Sequence, residues 1–482
     1  MTSGSTDIAA LEADAATRGS GIKLAAELSG RALSLATSFL LAVGLGVEGF
    51  GVFAAASGIA VILAEAADLG LQGTAVRALV ARTLGLGAML RAKAVLTAGV
   101  ALAGGVLLAV APAMPALPGG LPPALLAPLL FYYALAGWTE LLGVALRAHG
   151  RRAEEAGVIL ALRAGGLVAV VIAFRAGAGL AGMAWAHALS TLPALLLSAA
   201  LARRAYPPSE AAVAQPPVRA VLRMAWPLAV NGGLALLSLR VELLAVFFVR
   251  GAAESGLFGA ALKVIESVNG IPNAVAAGAM PSLTREALQG LRTVRERVAT
   301  TTALLAVPGA AGLFLLAGGV VSLLGAGYAD AAAPLRVLAL ALIPLFMNTV
   351  LLHALIAAGR AGVLPRLTAA RVGLAAVLAV ALVPSLGATG AAAGFLVSEA
   401  LLLALFARAC AAAGFPVPVS GPLARAAALT VPMAAVVAAA GRGLALSVGL
   451  GVATYTATLL ATWRLRPELV PLPRRSARGL AE

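Results

Sequence analysis

Apolar stretches of 20 to 28 residues follow one another along nearly the whole chain, separated by short polar or glycine-rich breaks. About 20 residues of helix, at about 1.5 Å each, cross the roughly 30 Å hydrocarbon core of a bilayer. The pattern predicts fourteen such helices, at 21–44, 50–71, 86–111, 121–146, 155–174, 178–200, 222–249, 253–279, 298–324, 332–357, 363–384, 388–413, 421–441 and 443–463. The expected fold class is therefore an all-α polytopic membrane protein.

The basic residues test that count. With the N-terminus in the cytoplasm, the inner segments hold Arg77, Arg82, Arg91 and Lys93, then Arg147, Arg151, Arg152 and Arg163, then Arg203, Arg204, Arg219 and Arg223. Later inner segments hold Arg285, Arg292, Arg295 and Arg297, then Arg360, Arg366 and Arg371, then Arg408 and Arg425, and finally Arg464, Arg466, Arg474, Arg475 and Arg478. The outer loops hold only Arg175, Arg250 and Arg442. By the positive-inside rule this split places both termini in the cytoplasm. The polar first twenty residues, with Asp7, Glu12 and Asp14, predict a cytoplasmic tail rather than a signal peptide.

The longest connection, Arg203 to Arg219, carries Pro207, Pro208, Pro216 and Pro217 and separates six helices from eight. The expected organisation is a tail (1–20), an N-lobe (21–202), a linker (203–221), a C-lobe (222–413), two further helices (414–463) and a tail (464–482). A short internal repeat agrees with it. GVFAAAS at 51–57 matches GLFGAAL at 256–262, so Gly51, Phe53, Ala55 and Ala56 correspond to Gly256, Phe258, Ala260 and Ala261 at an offset of 205. Six helices per lobe would insert both copies the same way up.

Composition narrows the chemistry. At 61% hydrophobic, 11% charged and a mean hydropathy of +1.00, the chain leaves no room for a large soluble domain. The net charge of +15 sits mostly in the inner loops, where it orients helices and meets anionic lipid rather than nucleic acid. Cys410 stands alone, and His149, His187 and His353 have no close metal-ligand spacing. No P-loop, HExxH or GxSxG occurs, so neither an enzyme nor an ATP-driven pump with its own motor is expected, and no cofactor.

What remains is charge at membrane depth, where an ionisable group is costly and marks a pathway or a partner. Arg240 lies ten residues from Arg250 and Lys263 ten from Ala253, each about 15 Å from the outer side. Glu242 and Glu266 accompany them. Two readings stay open: the charges neutralise one another, Lys263 with Glu266 and Arg240 with either acid, or the cations line a cavity for an anionic headgroup. Lys263, Glu266 and Asn269 form one polar stripe. Arg31 is a third cation, with Glu27 placed four residues earlier to pair with it. Arg336, just past Pro334, is either a binding residue or one that snorkels.

Among acids, Glu399 has no basic residue within a turn and is a candidate for ion coupling or for a hydrogen bond to a neighbouring helix. Glu65 and Asp68, three apart, are weaker coupling candidates. His187, Glu140 and His353 read as packed or interfacial groups.

These residues resemble a known family. SLRVELLAVFFV at 238–249 and GLFGAALKVIESVNGIPNAV at 256–275 are similar to helices 7 and 8 of the polysaccharide-biosynthesis flippases, with Arg240, Glu242, Gly256, Phe258 and Pro272 on the matching positions. VEGFGVF at 47–53, ADLGLQG at 67–73 and GAGYADAAAPLRVLAL at 325–340, with Asn348 downstream, extend the resemblance over most of residues 20–440. It implies the exporter-superfamily (MATE-like) fold, two six-helix lobes plus two C-terminal helices. It also implies alternating access, a cationic cavity, and transfer of an undecaprenyl-pyrophosphate-linked oligosaccharide across the bacterial cytoplasmic membrane. Polysaccharide polymerase and glycosyltransferases would be its partners. Arg240 and Lys263 would hold the phosphates and Arg31 assist. The superfamily also holds lipid II flippases and cation-coupled multidrug antiporters; the antiporter alternative would rest on Glu399, Glu65 and Asp68. Five tyrosines and four tryptophans make sugar-stacking platforms sparse.

Overall fold

The computed structural model describes residues 3–110, 121–206, 215–238, 240–289, 293–441 and 443–466. Pro207, Pro208, Arg292, Arg442, Arg474, Arg475 and Arg478 lie outside the described residues, as do the side chains of Asp7, Glu12, Asp14 and Arg77. Regular structure among the described residues is helical. The chain begins with α1 (Ser3–Ala66), α2 (Leu71–Val80), α3 (Leu86–Val110), α4 (Leu126–Ala148), α5 (Arg152–Arg175), α6 (Leu180–Leu189), α7 (Thr191–Ala205) and α8 (Val218–Leu237). It continues with α9 (Val241–Arg250), α10 (Ala252–Val268), α11 (Gly270–Gln289), α12 (Thr293–Ser322), α13 (Ala332–Ala357), α14 (Leu364–Ala412), α15 (Ser420–Ala440) and α16 (Leu444–Leu465).

Ten helical stretches among the described residues are long and apolar enough to cross a bilayer, and the protein is a multi-pass membrane protein. Two of the ten carry two expected spans each. Gly46 (φ 67°) interrupts α1 and Gly387 (φ 54°) interrupts α14, at the breaks expected after residues 44 and 384. Left-handed backbone of this kind suits a residue without Cβ.

Spans 222–249 and 253–279, expected as continuous helices, are each broken. α8 ends at Leu237 and α9 begins at Val241, with Ser238 and Arg240 in the break, and Asn269 separates α10 from α11. Asn269 and Gly270 are poor helix formers, and irregular backbone at this depth is tolerated where it is enclosed by protein, as at the buried Gly270, or lines a cavity. Span 178–200 also bends: Pro193, in the first turn of α7, cannot donate back to α6, and Ser190 and Thr191 return their hydroxyls to the carbonyls of His187 (2.6 Å) and Ala188 (2.7 Å).

By contact the chain divides into two compact units, Met1–Gly270 with Val372–Ala391, and Ile271–Arg371 with Ala392–Glu482. In the first, α1 packs along α5 and α10. At the crossing with α10 a Cβ on Gly51 would collide with the carbonyl of Ala252, and one on Gly256 with the carbonyl of Val47. Backbones approach this closely only where the side chain is a hydrogen atom.

In the second unit, Met347, Leu351, Phe406 and Cys410 centre an apolar core shared by α12, α13, α14 and α15. Buried charge is matched there. Arg371, with no exposed surface, meets Glu399 at 3.0 Å, and Asn348 donates to the same carboxylate at 2.7 Å. Residues 28 apart on a straight helix would stand about 42 Å apart, so this contact requires the chain to double back at Gly387. Glu399 is thus not the solitary carboxylate the local sequence suggests; its cation is distant in sequence and adjacent in space. Replacing Arg371 by alanine is expected to lower stability by about 3–5 kcal/mol, because it strands a buried carboxylate. The double change Arg371→Met, Glu399→Gln should recover most of the loss in thermal unfolding of the purified protein.

Candidate functional site

The first unit holds a cavity of about 530 Å3 walled by α1, α4, α5 and α10, within the size range of ligand sites. A smaller recess of about 140 Å3 adjoins it and shares Ser34, Ser38, Leu162, Arg163 and Lys263 with it. Ser38 and Phe53, on either side of Gly46, line the same recess, as expected if α1 reverses there.

Glu266 organises the cations. One carboxylate oxygen accepts from Arg240 Nη1 at 2.8 Å and the other from Lys263 Nζ at 2.7 Å. The two residues singled out from depth alone are therefore brought together, through one shared acid. Glu242 is buried at the start of α9 and is not the acid that meets Arg240. Arg31 lines the larger cavity and donates to the backbone carbonyl of Glu266 at 3.2 Å, instead of pairing with Glu27 as the helical spacing suggests. A Cβ on Gly270 would collide with its guanidinium, so the glycine at the head of α11 makes room for that arginine.

Arg163 is the residue that sequence reading misplaces. Its position in the chain groups it with the inner-segment charges, but it stands eleven residues into α5 and twelve from its end, about 16–18 Å from either. It lines both recesses, and its Nη1 lies 3.4 Å from the Tyr132 hydroxyl. Among the described residues no carboxylate pairs with it. Depth counted along α5, in the way that singles out Arg240, is the signal that finds it.

The acids are sorted by position. Glu27, Glu140, Glu155 and Glu266 line the larger cavity. Glu155 is paired with Arg147, and Glu140 accepts from Gln72 at 3.0 Å. The smaller recess is lined by Arg163, Arg240 and Lys263, and no acidic side chain among the described residues lines it. Its wall is aromatic: Tyr132 stacks on His187 at 4.3 Å and meets Tyr133 edge-on at 5.0 Å, while Ser57 and Tyr133 share a 2.6 Å hydrogen bond. These rings spend their faces on one another, so they build a wall rather than an open stacking platform.

Other candidates lie elsewhere. Asp68 is buried against Lys93 at 3.0 Å and also receives the backbone N–H of Gln72, so it is committed to an ion pair at the start of α2. Glu65 is half-buried, facing Gly232 of α8, and lines neither recess. Arg336 is exposed on the first turns of α13 and lines neither recess. Glu399 sits in the second unit with Arg371.

Solved structures share this architecture. The chain is similar to the lipid II flippase MurJ in an inward closed conformation, at 11% identity and a TM-score of 0.76, covering 91% of this chain and 98% of that one. It is also similar to an inward-facing multidrug resistance MATE family transporter of the MOP superfamily (16% identity, TM-score 0.60, 82% and 98% covered). A third likeness is to a mutant of the Vibrio cholerae MATE transporter VcmN (17% identity, TM-score 0.55, 83% and 97% covered). The fold is thus the one these three structures share. Residues 16–285 match the family described as polysaccharide biosynthesis protein, and the chain belongs to that family. No curated protein matches the sequence significantly.

Proposed function

We propose that the protein is a flippase that moves an undecaprenyl-pyrophosphate-linked oligosaccharide from the cytoplasmic to the outer leaflet by alternating access. The observation that carries this reading is a recess at membrane depth lined by three cations and, among the described residues, no acid, beside a larger polar cavity. A pyrophosphate cannot enter hydrocarbon unaided, whereas a prenyl tail can remain in lipid, so a protein need shelter only the headgroup. Membership of a polysaccharide biosynthesis family supports the carbohydrate. Lipid II or another polyprenyl-linked sugar is the alternative cargo, since it presents the same anionic group. A cation-coupled antiporter would need a carboxylate free to take an ion; Asp68 is committed to Lys93 and Glu399 to Arg371, which leaves that reading only Glu65, a half-buried acid that lines neither recess. In this reading the protein sits in a bacterial inner membrane with both termini cytoplasmic, and it works with polysaccharide polymerase and glycosyltransferases.

The test is translocation of a fluorescent undecaprenyl-pyrophosphate oligosaccharide in proteoliposomes. Wild type should translocate it, and Arg240→Ala or Lys263→Ala, at equal protein abundance, should reduce the rate at least about tenfold, the scale of one charge-assisted hydrogen bond. Absence of wild-type translocation by folded protein would refute the proposal.

A further inference from the structure

We propose that sorted charge orients the substrate: Arg163 anchors its pyrophosphate in the acid-free recess, and Glu140, in the wall of the larger cavity, receives hydroxyls of the attached sugar. This rests on the flippase reading and assigns two subsites within it.

Four cations face the deep end of the site, but they are not equally available. Arg240 and Lys263 already hold the two oxygens of Glu266. Arg31 donates to a backbone carbonyl and lines only the larger cavity. Arg163 reaches only a phenol at 3.4 Å, without a carboxylate partner among the described residues, and it stands where the two recesses join. A half-buried guanidinium at mid-membrane without a counter-charge is the position an anion stabilises most. Its planar fork also matches phosphate oxygens two at a time.

The rest of the headgroup follows from repulsion and hydrogen-bond chemistry. Glu140 disfavours phosphate beside it in the wall of the larger cavity, which Arg31 and Arg147 also line, yet a carboxylate accepts hydroxyl donors well. Glu140 is exposed, and Gln72 Nε2 engages its Oε2, so the Gln72–Glu140 pair presents an acceptor and an amide together to a ring bearing hydroxyls. The recess of about 140 Å3 is small, comparable to a cavity that holds one benzene, and suits the phosphates. The cavity of about 530 Å3 has the room for sugar.

Two soluble probes separate the subsites in titrations of the purified full-length protein: farnesyl pyrophosphate, and farnesyl pyrophosphate carrying one N-acetylhexosamine. Arg163→Gln should weaken both about tenfold or more, with Arg163→Lys intermediate because the charge stays and the fork is lost. Because Arg163 has no carboxylate partner among the described residues, the thermal stability of its variants without probe should match wild type. Glu140→Gln should weaken only the sugar-bearing probe. Wild-type affinity for both probes in the Arg163 variants, or equal loss for both probes in Glu140→Gln, overturns the assignment while the flippase reading stands. Failure of the wild-type protein to bind either probe removes the flippase reading together with it.

Discussion

Glu266→Gln should tighten the binding of an anionic headgroup and stop its translocation. In this structure one carboxylate occupies Arg240 and Lys263 at 2.8 and 2.7 Å, so an arriving phosphate must displace it from both. Glutamine keeps the shape but offers one neutral acceptor, and its amide N–H2 cannot hold a cation. Hydrogen bonds to charged groups contribute about 1.5–3 kcal/mol each, so removing the competitor should raise affinity for farnesyl pyrophosphate by about ten- to a hundredfold. The empty variant should be less thermally stable than wild type, because two partly buried cations lose their counter-charge, and the probe should restore the difference.

Release is the other half of the argument. A carboxylate that can retake both cations lowers the barrier for the phosphate to leave, and without it the bound state becomes a trap. Single-turnover translocation in proteoliposomes should therefore fall even though binding improves. Weaker binding in Glu266→Gln would show that Glu266 organises the cations for the ligand rather than competing with it.

The membrane architecture is legible in the sequence because bilayer thickness imposes a length on every apolar stretch. The breaks at Gly46 and Gly387 fall where glycine-bearing gaps predict them. The breaks between α8 and α9 and at Asn269 do not show, because hydropathy averages over each stretch and the few polar residues there are outweighed by apolar ones further along it. The same averaging groups Arg163 with the inner-loop charges. Depth counting finds Arg240 and Lys263, and spacing offers Glu266 to Lys263, but one-dimensional spacing cannot choose between Glu242 and Glu266 for Arg240 or find the Arg371 partner of Glu399. Spacing even misassigns Arg31, whose helical neighbour Glu27 is passed over for a carbonyl on α10. Spacing within one helix offers partners, taken by Lys263 and Glu266 and not by Arg31; packing between helices decides which are used.

The internal repeat is the exception, since it connects sequence to a contact between helices, and it gives the second large expected effect. Gly256→Leu and Gly51→Leu should each prevent accumulation of folded protein. The repeat offset of 205 carries Gly51 onto Gly256 and Val47 onto Ala252. The crossing obeys it: Gly51 faces the Ala252 carbonyl, and Gly256 faces the Val47 carbonyl. Equivalent residues of the two copies thus touch reciprocally, as they do about a two-fold axis. Overpacking a core commonly costs about 1–3 kcal/mol, and that figure assumes side chains that can shift. Here the obstacle is backbone on both sides, so the cost should exceed about 3 kcal/mol and even alanine should be harmful. Gly99→Leu on α3, where nothing lies within 4 Å of an added Cβ, is the matched control and should behave as wild type. Monodisperse yield and thermal midpoint in detergent measure both, and leucine at 51 or 256 tolerated as well as leucine at 99 would mean that α1 and α10 do not depend on this close approach.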